Sequence, residues 1–188
     1  MRRAIKYIFK LLKELCYKRQ RLRFYIYPTR QGNGRIYNDI KVYSSYAEIP
    51  MHFRKIVLPS PMIHVMFYRL MHNKVKLICY SENGQQLDGY GWIQDWQAFQ
   101  YRFGTIANWA TMLGYYWITP EARGRGYYSR LLEHSIAISS KEFPILIYTS
   151  KDNELSQKSI EKVGFILLGE WEIYLWFRVF VHLRKITV

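Results

Sequence analysis

Trp117–Leu132 reads WITPEARGRGYYSRLL, and this turn decides the fold. An apolar, β-type run ends at Trp117-Ile118, Pro120 stops it, Arg123-Gly124-Arg125-Gly126 follows, and Tyr128, Leu131, Leu132 and Ile136 then recur at helical spacing. The order is strand, glycine loop, helix. Glycines at such a junction let a ligand approach the backbone closely, and the first amides of the new helix have no partner inside it. Those amides suit an anion, a diphosphate above all, because the helix dipole and the exposed N–H groups act together. Arg123 and Arg125 add charge-assisted contacts. A basic surface turn would carry the same residues without a ligand, and the downstream sequence separates the two readings.

Asn153-Glu154-Leu155-Ser156 and Glu161-Lys162-Val163-Gly164-Phe165 bound a second helix, with Asn153 capping its start and Gly164 closing its end in a left-handed conformation. Before it, Pro144-Ile145-Leu146-Ile147-Tyr148 reads as a short buried strand. Together the two blocks resemble the GNAT superfamily of acetyl-CoA-dependent N-acetyltransferases. That family's loop is Gln or Arg, two residues, Gly, one residue, then Gly or Ala, and it falls here on Arg123, Gly124-Arg125, Gly126, Tyr127 and Tyr128. Tyr128 departs from the pattern, standing where a small residue is usual. The downstream block is similar to the family's Asn-x-x-Ser/Ala helix ending in Gly-Phe.

The resemblance implies an α/β (α+β) fold: a mixed, mostly antiparallel central sheet flanked by helices, splayed where coenzyme A enters. It further implies that Arg123, Gly124, Arg125, Gly126, Tyr127 and Tyr128 hold the pyrophosphate. The main chain of Trp117, Ile118 and Thr119 would pair with the pantetheine arm, and Asn153 and Ser156 would lie beside the coenzyme. The expected donor is acetyl-CoA, no metal is implied, and the acceptor is a primary amine.

The length of 188 residues, 49% hydrophobic, suffices for one core. A net charge of +14 calls for an anionic partner: coenzyme A, lipid head groups, a nucleotide-linked substrate or nucleic acid. Cys16 and Cys79 form no redox or zinc spacing and fit a reducing, cytoplasmic setting. The five histidines are scattered without metal-ligand spacing.

Residues 1–17 plot as a helix with Ile5, Ile8, Leu12 and Leu15 on one side and Arg2, Lys6, Lys10 and Lys13 on the other. Two readings stand: a peripheral contact with an anionic inner-membrane face, or an apolar stripe docked on the domain or on a second copy in a homodimer. The organisation read from this is a basic amphipathic N-terminal helix over 1–20 and the transferase domain over 21–188. Lys18–Arg23 reads as a basic connector, Leu22–Pro28 as the opening strand, Arg35–Tyr43 as another, Ala47–Val57 and Met62–His72 as helices. Val75–Cys79 and Leu87–Trp92 alternate as a hairpin. Asp95–Gly104 reads as a mobile aromatic insertion, either lying over an acceptor or covering a sheet face. Trp109–Ile118 is the strand before the loop, and Phe165–Leu168 and Trp171–Ile186 close the sheet.

Acetyl transfer needs a deprotonated amine, a polarised carbonyl and an acid for the leaving thiolate. The family often supplies a carboxylate on the strand before the loop and a Tyr on the later helix. Here Trp109–Ile118 contains no Asp, Glu or His, and Ile160 holds the Tyr position. Tyr115, Tyr116 or Tyr148 as acid, Asp95 or Glu121 acting through water, or positioning alone, which supplies about 7–11 kcal/mol, all remain open. Two other classes stand beside the enzyme: a catalytically silent acyl-CoA-binding module, motivated by the empty acid and base positions, and a nucleic-acid-binding protein. The second is disfavoured because the basic residues follow a helix face more than a groove.

Overall fold

The computed structural model describes residues 17–28, 34–57, 74–176 and 179–186. The amphipathic segment over 1–16 and the helix expected over 62–72 lie outside the described residues. An eight-stranded sheet runs in the order β2-β3-β4-β5-β6-β1-β7-β8. Its strands are β1 (Tyr17–Tyr27), β2 (Ile40–Tyr43), β3 (Val75–Tyr80), β4 (Gly89–Asp95), β5 (Thr111–Ile118), β6 (Ile145–Ser150), β7 (Ile166–Trp176) and β8 (Val179–Ile186). Every neighbouring pair is antiparallel except β5 and β6. This is the mixed, mostly antiparallel sheet that the sequence implies.

Helices cover both faces. On one, α3 (Tyr127–Ile138) and α4 (Glu154–Lys162) bury Leu131, Leu132, Ile136 and Ile160 against Tyr25, Ile78, Ile93, Leu113 and Ile147. On the other, α1 (Met51–Val57) and α2 (Gln97–Phe103) cover Leu77 and Trp92 through Phe53, and Phe24, Met112 and Leu146 through Phe99 and Phe103. The β3–β4 hairpin feeds both layers because its alternation sends Ile78 and Ile93 one way and Leu77 and Trp92 the other.

The ends of the site helices follow from local chemistry. Asn153 Oδ1 accepts from the Ser156 amide at 3.2 Å and opens α4. Gly164, at φ 96°, closes it, with its own amide on Glu161 O and that of Phe165 on Ile160 O.

Five expectations change. Residues 18–23 are β1 and not a connector: Arg19 and Arg21 pair with Glu172 of β7, and Arg23 and Lys151 with Glu170. Burying Glu172 depends on Arg19 and Arg21, 153 and 151 positions away, which no local pattern displays. Between residues 35 and 43 only Ile40–Tyr43 is strand, and the helix expected from Ala47 begins at Met51, just after Pro50, whose ring suits a helix start. Asp95–Gly104 holds a helix whose aromatics Trp96, Phe99 and Phe103 are buried; it covers a sheet face. A seven-residue helix is too short to stand alone. Each of those rings buries about 150–250 Å², about 4–6 kcal/mol of transfer free energy as an upper bound, and that packing holds it. Finally, Ile166–Trp176 is one strand. Its register against β1 shifts near Gly169, so the pause between the two apolar runs is a bulge and not a break.

Candidate active site

β5 and β6 pair through Thr111↔Ile145, Met112↔Leu146 and Leu113↔Ile147, and then part. β5 continues beside β4 to Ile118, and β6 beside β1 to Ser150. A gap therefore opens between them toward their C-terminal ends, and main-chain groups of β5 facing it have no strand partner among the described residues. A bulge accompanies the opening. Trp92 faces Gly114 while Tyr90 faces Trp117, so β5 carries one extra residue there, and Tyr115 sits at φ 54°. A bulge re-aims side chains: Tyr116 joins Leu113 on the α3 face.

The loop follows at once. Thr119 N–H donates to Asp88 O at 2.9 Å, Pro120–Ala122 make a single 3-10 turn, and Arg123 Nε donates to Ile118 O at 3.3 Å. Gly124 and Gly126 take φ of 78° and 80°, and a Cβ at either would meet nothing within 4 Å. Backbone conformation selects glycine at both, and the space beside them is open. The first turn of α3 closes with Arg130 N on Gly126 O, which leaves the amides of Tyr127, Tyr128 and Ser129 ahead of the first intrahelical bond.

Above these amides lies a cleft of about 650 Å³. Trp117, Ile118, Arg123, Gly124, Gly126, Tyr127 and Tyr128 line one side, and Asn153 and Ser156 the other. Two expected residues stand off its wall. Thr119 spends its amide on Asp88, and Arg125 reaches 3.8 Å toward Glu82 on the exposed side of the loop. The sequence reading missed Leu155, Lys158, Ser159 and Lys162, which complete the wall from α4. The spacing of Lys158 and Lys162, one turn apart on a helix already assigned to the site, was the available signal. Among the described residues no carboxylate lines the cleft, and Arg123, Lys158 and Lys162 make its lining basic.

The candidate acids separate by position. Asp95 Oδ1 accepts the Gln97 amide at 3.0 Å just before α2 and Asp95 faces Thr111, about 20 Å along the sheet from the loop; it has no part in the site. Glu121 is exposed in the turn and does not line the cleft. Tyr116 places its hydroxyl 2.6 Å from Ser135 Oγ, beneath α3. Tyr128 is held by Ser156, and burial pushes its phenol up to about 12. Its ring packs edge-on to Tyr116 at 5.6 Å. Tyr148 lies at the gap on the α2 face, against Phe24 and Phe103. Among the described residues no group of three or more His, Cys, Asp or Glu could hold a metal.

The model of the acetyltransferase (GNAT) family matches residues 43–165. The chain belongs to the GNAT acetyltransferase family. Solved structures agree on the fold. A GNAT-family acetyltransferase from Colwellia psychrerythraea superimposes with a TM-score of 0.58 at 16% identity, covering 91% of this chain and 57% of its own. One from Novosphingobium aromaticivorans gives 0.57 at 14%, covering 90% and 66%. AAC(6')-Iy, solved with the bisubstrate analogue CoA-S-monomethyl-acetylneamine, gives 0.54 at 18%, covering 68% of this chain and 90% of its own. The chain thus spans 57% and 66% of the first two proteins. No curated protein matches it. The GNAT family uses acetyl-CoA.

Proposed function

We propose that this chain is an acetyl-CoA-dependent N-acetyltransferase that passes an acetyl group directly to a primary amine. One observation carries the reading: helix α3 presents unbonded amides, flanked by open-space glycines and a basic lining, at the mouth of a gap between parting strands. Acyl-coenzyme A has the complementary shape, a charged diphosphate end on a thin polar arm. The residues present fit it. The amides of Tyr127, Tyr128 and Ser129 and the α3 dipole would hold the pyrophosphate, and Arg123, Lys158 and Lys162 would neutralise the remaining phosphate charge. The unpaired main chain of β5 beyond Leu113 would hydrogen-bond the arm.

When bound, acetyl-CoA supplies the activated thioester; the protein's part is to fix it in line with the amine and exclude water, a contribution of about 7–11 kcal/mol. A primary amine as acceptor is supported by the analogue bound to AAC(6')-Iy, which joins coenzyme A to an acetylated neamine. The net charge of +14 favours an amine carried on an anion, such as an amino sugar on a nucleotide or lipid carrier. The basic face of residues 1–17 would bring the enzyme to an anionic membrane surface where lipid carriers lie.

Calorimetric titration with acetyl-CoA, beside Gly126→Glu, tests the reading. Wild type binds, and the variant, with a carboxylate in the space beside the helix amides, does not. A panel of primary amines then identifies the acceptor class by release of free thiol. Absence of binding to wild type overturns the proposal; binding without thiol release reduces it to an acyl-CoA-binding module.

A further inference from the structure

β6 ends where Ser150 meets Leu22, but β1 does not stop there. It runs on over Tyr17–Arg21, paired on one side with Glu172–Trp176 of β7, which in turn pairs with β8. A three-stranded ribbon about 17 Å long therefore rises past the end of β6, beside the mouth of the β5–β6 gap. Beyond Arg21, whose carbonyl accepts the Lys151 amide at 3.0 Å, the β1 edge on the β6 side has no strand next to it among the described residues.

A second cavity, of about 600 Å³, fills the corner between that edge and the β6–α4 turn, lined by Arg19, Gln20, Arg21, Ser150, Lys151 and Asp152. Its arginines lie on the cleft's side of the sheet: Arg23 donates to Gln157 of α4 at 2.6 Å, and alternation puts Arg21 and Arg19 on the same face. Asp152 lines this cavity and its neighbour Asn153 lines the cleft, so the β6–α4 turn divides the two. Glu172 is buried beneath Arg19 and Arg21, and Glu170 beneath Arg23 and Lys151. Four cations meet two buried carboxylates, and with Asp152 at the rim, four against three, one positive charge remains. Arg19 and then Tyr174 do most to hold the Glu172 carboxyl down at about 2, and Arg23 reaches Glu170 at 3.5 Å. Neither acid depends on Arg21 or Lys151 alone. Arg21 commits Nε at 3.1 Å and Lys151 its ammonium at 3.0 Å, and their side chains stay 49% and 38% exposed.

We propose that this cavity seats a phosphate of the acceptor, so that the amine presented to the gap belongs to a small phosphorylated molecule. This rests on the transferase reading above, to which it adds the chemical class of the acceptor. Guanidinium forks and an ammonium in one corner match the spread oxygens of a phosphate, and Gln20 and Ser150 add uncharged hydrogen-bonding groups. The buried carboxylates beneath restrain the cations and so lower the cost of ordering them on a ligand. Gap and cavity flank β6 on its two sides, about 10 Å apart at two strand spacings, so one molecule of the size of an amino-sugar phosphate reaches from one to the other. The phosphates of acetyl-CoA would be met separately, by the α3 amides, Arg123, Lys158 and Lys162 in the cleft.

Amines in matched pairs test it: glucosamine beside its 1-phosphate and 6-phosphate, and ethanolamine beside phosphoethanolamine, followed by thiol release from acetyl-CoA. Wild type prefers the phosphorylated partner in kcat/KM by about tenfold or more, and Arg21→Gln and Lys151→Gln each cut that preference about tenfold. Melting temperatures hold, because each buried carboxylate keeps another cation. Acetyl-CoA affinity by calorimetry is the same in both variants as in wild type; a loss there gives the cavity to a phosphate of the coenzyme and overturns the acceptor site. Thiol release to no phosphorylated amine, equal kcat/KM within the pairs, or a preference that survives both variants overturns it too, while acetyl-CoA binding stands. Inorganic phosphate titrated into Gly126→Glu, whose cleft is blocked, reads the cavity by itself. Saturable binding that a further Arg21→Gln abolishes is expected, and absence of binding overturns the site whatever the coenzyme does. Wild type that binds no acetyl-CoA, with this phosphate binding intact, overturns the transferase reading and the acceptor assignment together, and the titration tells that apart from failure of the cavity.

Discussion

Ile160→Tyr puts a phenol at the position where the family resemblance implies one and tests whether α4 can use it. Ile160 has no exposed surface and belongs to the cluster shared by Leu131, Leu132 and Phe165, against which Tyr116 and Tyr128 also pack. A phenol there adds volume to a filled layer, at about 1–3 kcal/mol. Its hydroxyl, unless it finds an acceptor, adds about 1–3 kcal/mol more. The combined loss of about 2–6 kcal/mol is a large share of the about 5–15 kcal/mol that holds a domain together. At about 2–4 °C per kcal/mol for a chain of this size, the melting temperature falls by about 4–24 °C. Differential scanning calorimetry reads the loss, and the thiol-release assay shows no gain in kcat over wild type. A variant that melts within about 2 °C of wild type and turns over faster would refute the reasoning: the phenol would then have reached the gap, and the acid of this enzyme would belong on α4.

Two further perturbations read the cleft and the core beneath α3. Lys158→Gln leaves stability within about 0.5 kcal/mol, because Glu154 one turn before it and Lys162 one turn after it act in opposite directions. Calorimetry should nevertheless show acetyl-CoA binding weakened by about 1 kcal/mol, roughly fivefold, with a shallower salt dependence; unchanged affinity removes Lys158 from the phosphate site. His134 is buried and accepts the Tyr37 amide on Nδ1 at 3.1 Å. Burial holds its pKa below the ordinary value, against a smaller opposing pull from Asp39. The folded state therefore resists a proton that the unfolded state accepts. This contribution is complete above about pH 6.5 and is lost as pH falls below it. Urea unfolding across pH 5 to 8 shows that slope, and His134→Gln flattens it; an equal slope in the variant assigns the effect to other groups.

The site helices were legible because their ends are written locally. Gly126 in a left-handed conformation, Asn153 capping and Gly164 closing each act within a few residues, and the helix read through Tyr128–Ile136 and the one bounded by Asn153 and Gly164 are Tyr127–Ile138 and Glu154–Lys162. The α2 helix was legible too and was misread. Trp96, Phe99 and Phe103 recur at helical spacing, although the segment reads as an aromatic insertion. The extension of β1 over residues 17–21 was not legible at all, since its arginines are explained only by Glu172 across the sheet. The gap itself belongs to the same class. Nothing local in the sequence says that β5 and β6 stop pairing after Leu113 and Ile147, or that a bulge at Tyr115 turns Tyr116 away beneath α3.

The two departures from the family pattern, Tyr128 for a small residue and Ile160 for a tyrosine, belong to one rearrangement. Both side chains pack in the cluster under α3 and α4, so a ring added at the start of α3 is compatible with a smaller side chain on α4. Tyr128 also reaches Ser156 and ties the two helix starts together across the cleft floor. At position 128 the aromatic hydroxyl is engaged in a structural bond with Ser156. Position 160 is therefore apolar without leaving an empty space beneath α4. A substitution that returns a small residue to position 128 should therefore be tolerated better together with Ile160→Tyr than either change alone. The two positions are coupled through one volume, and their stability costs should not add.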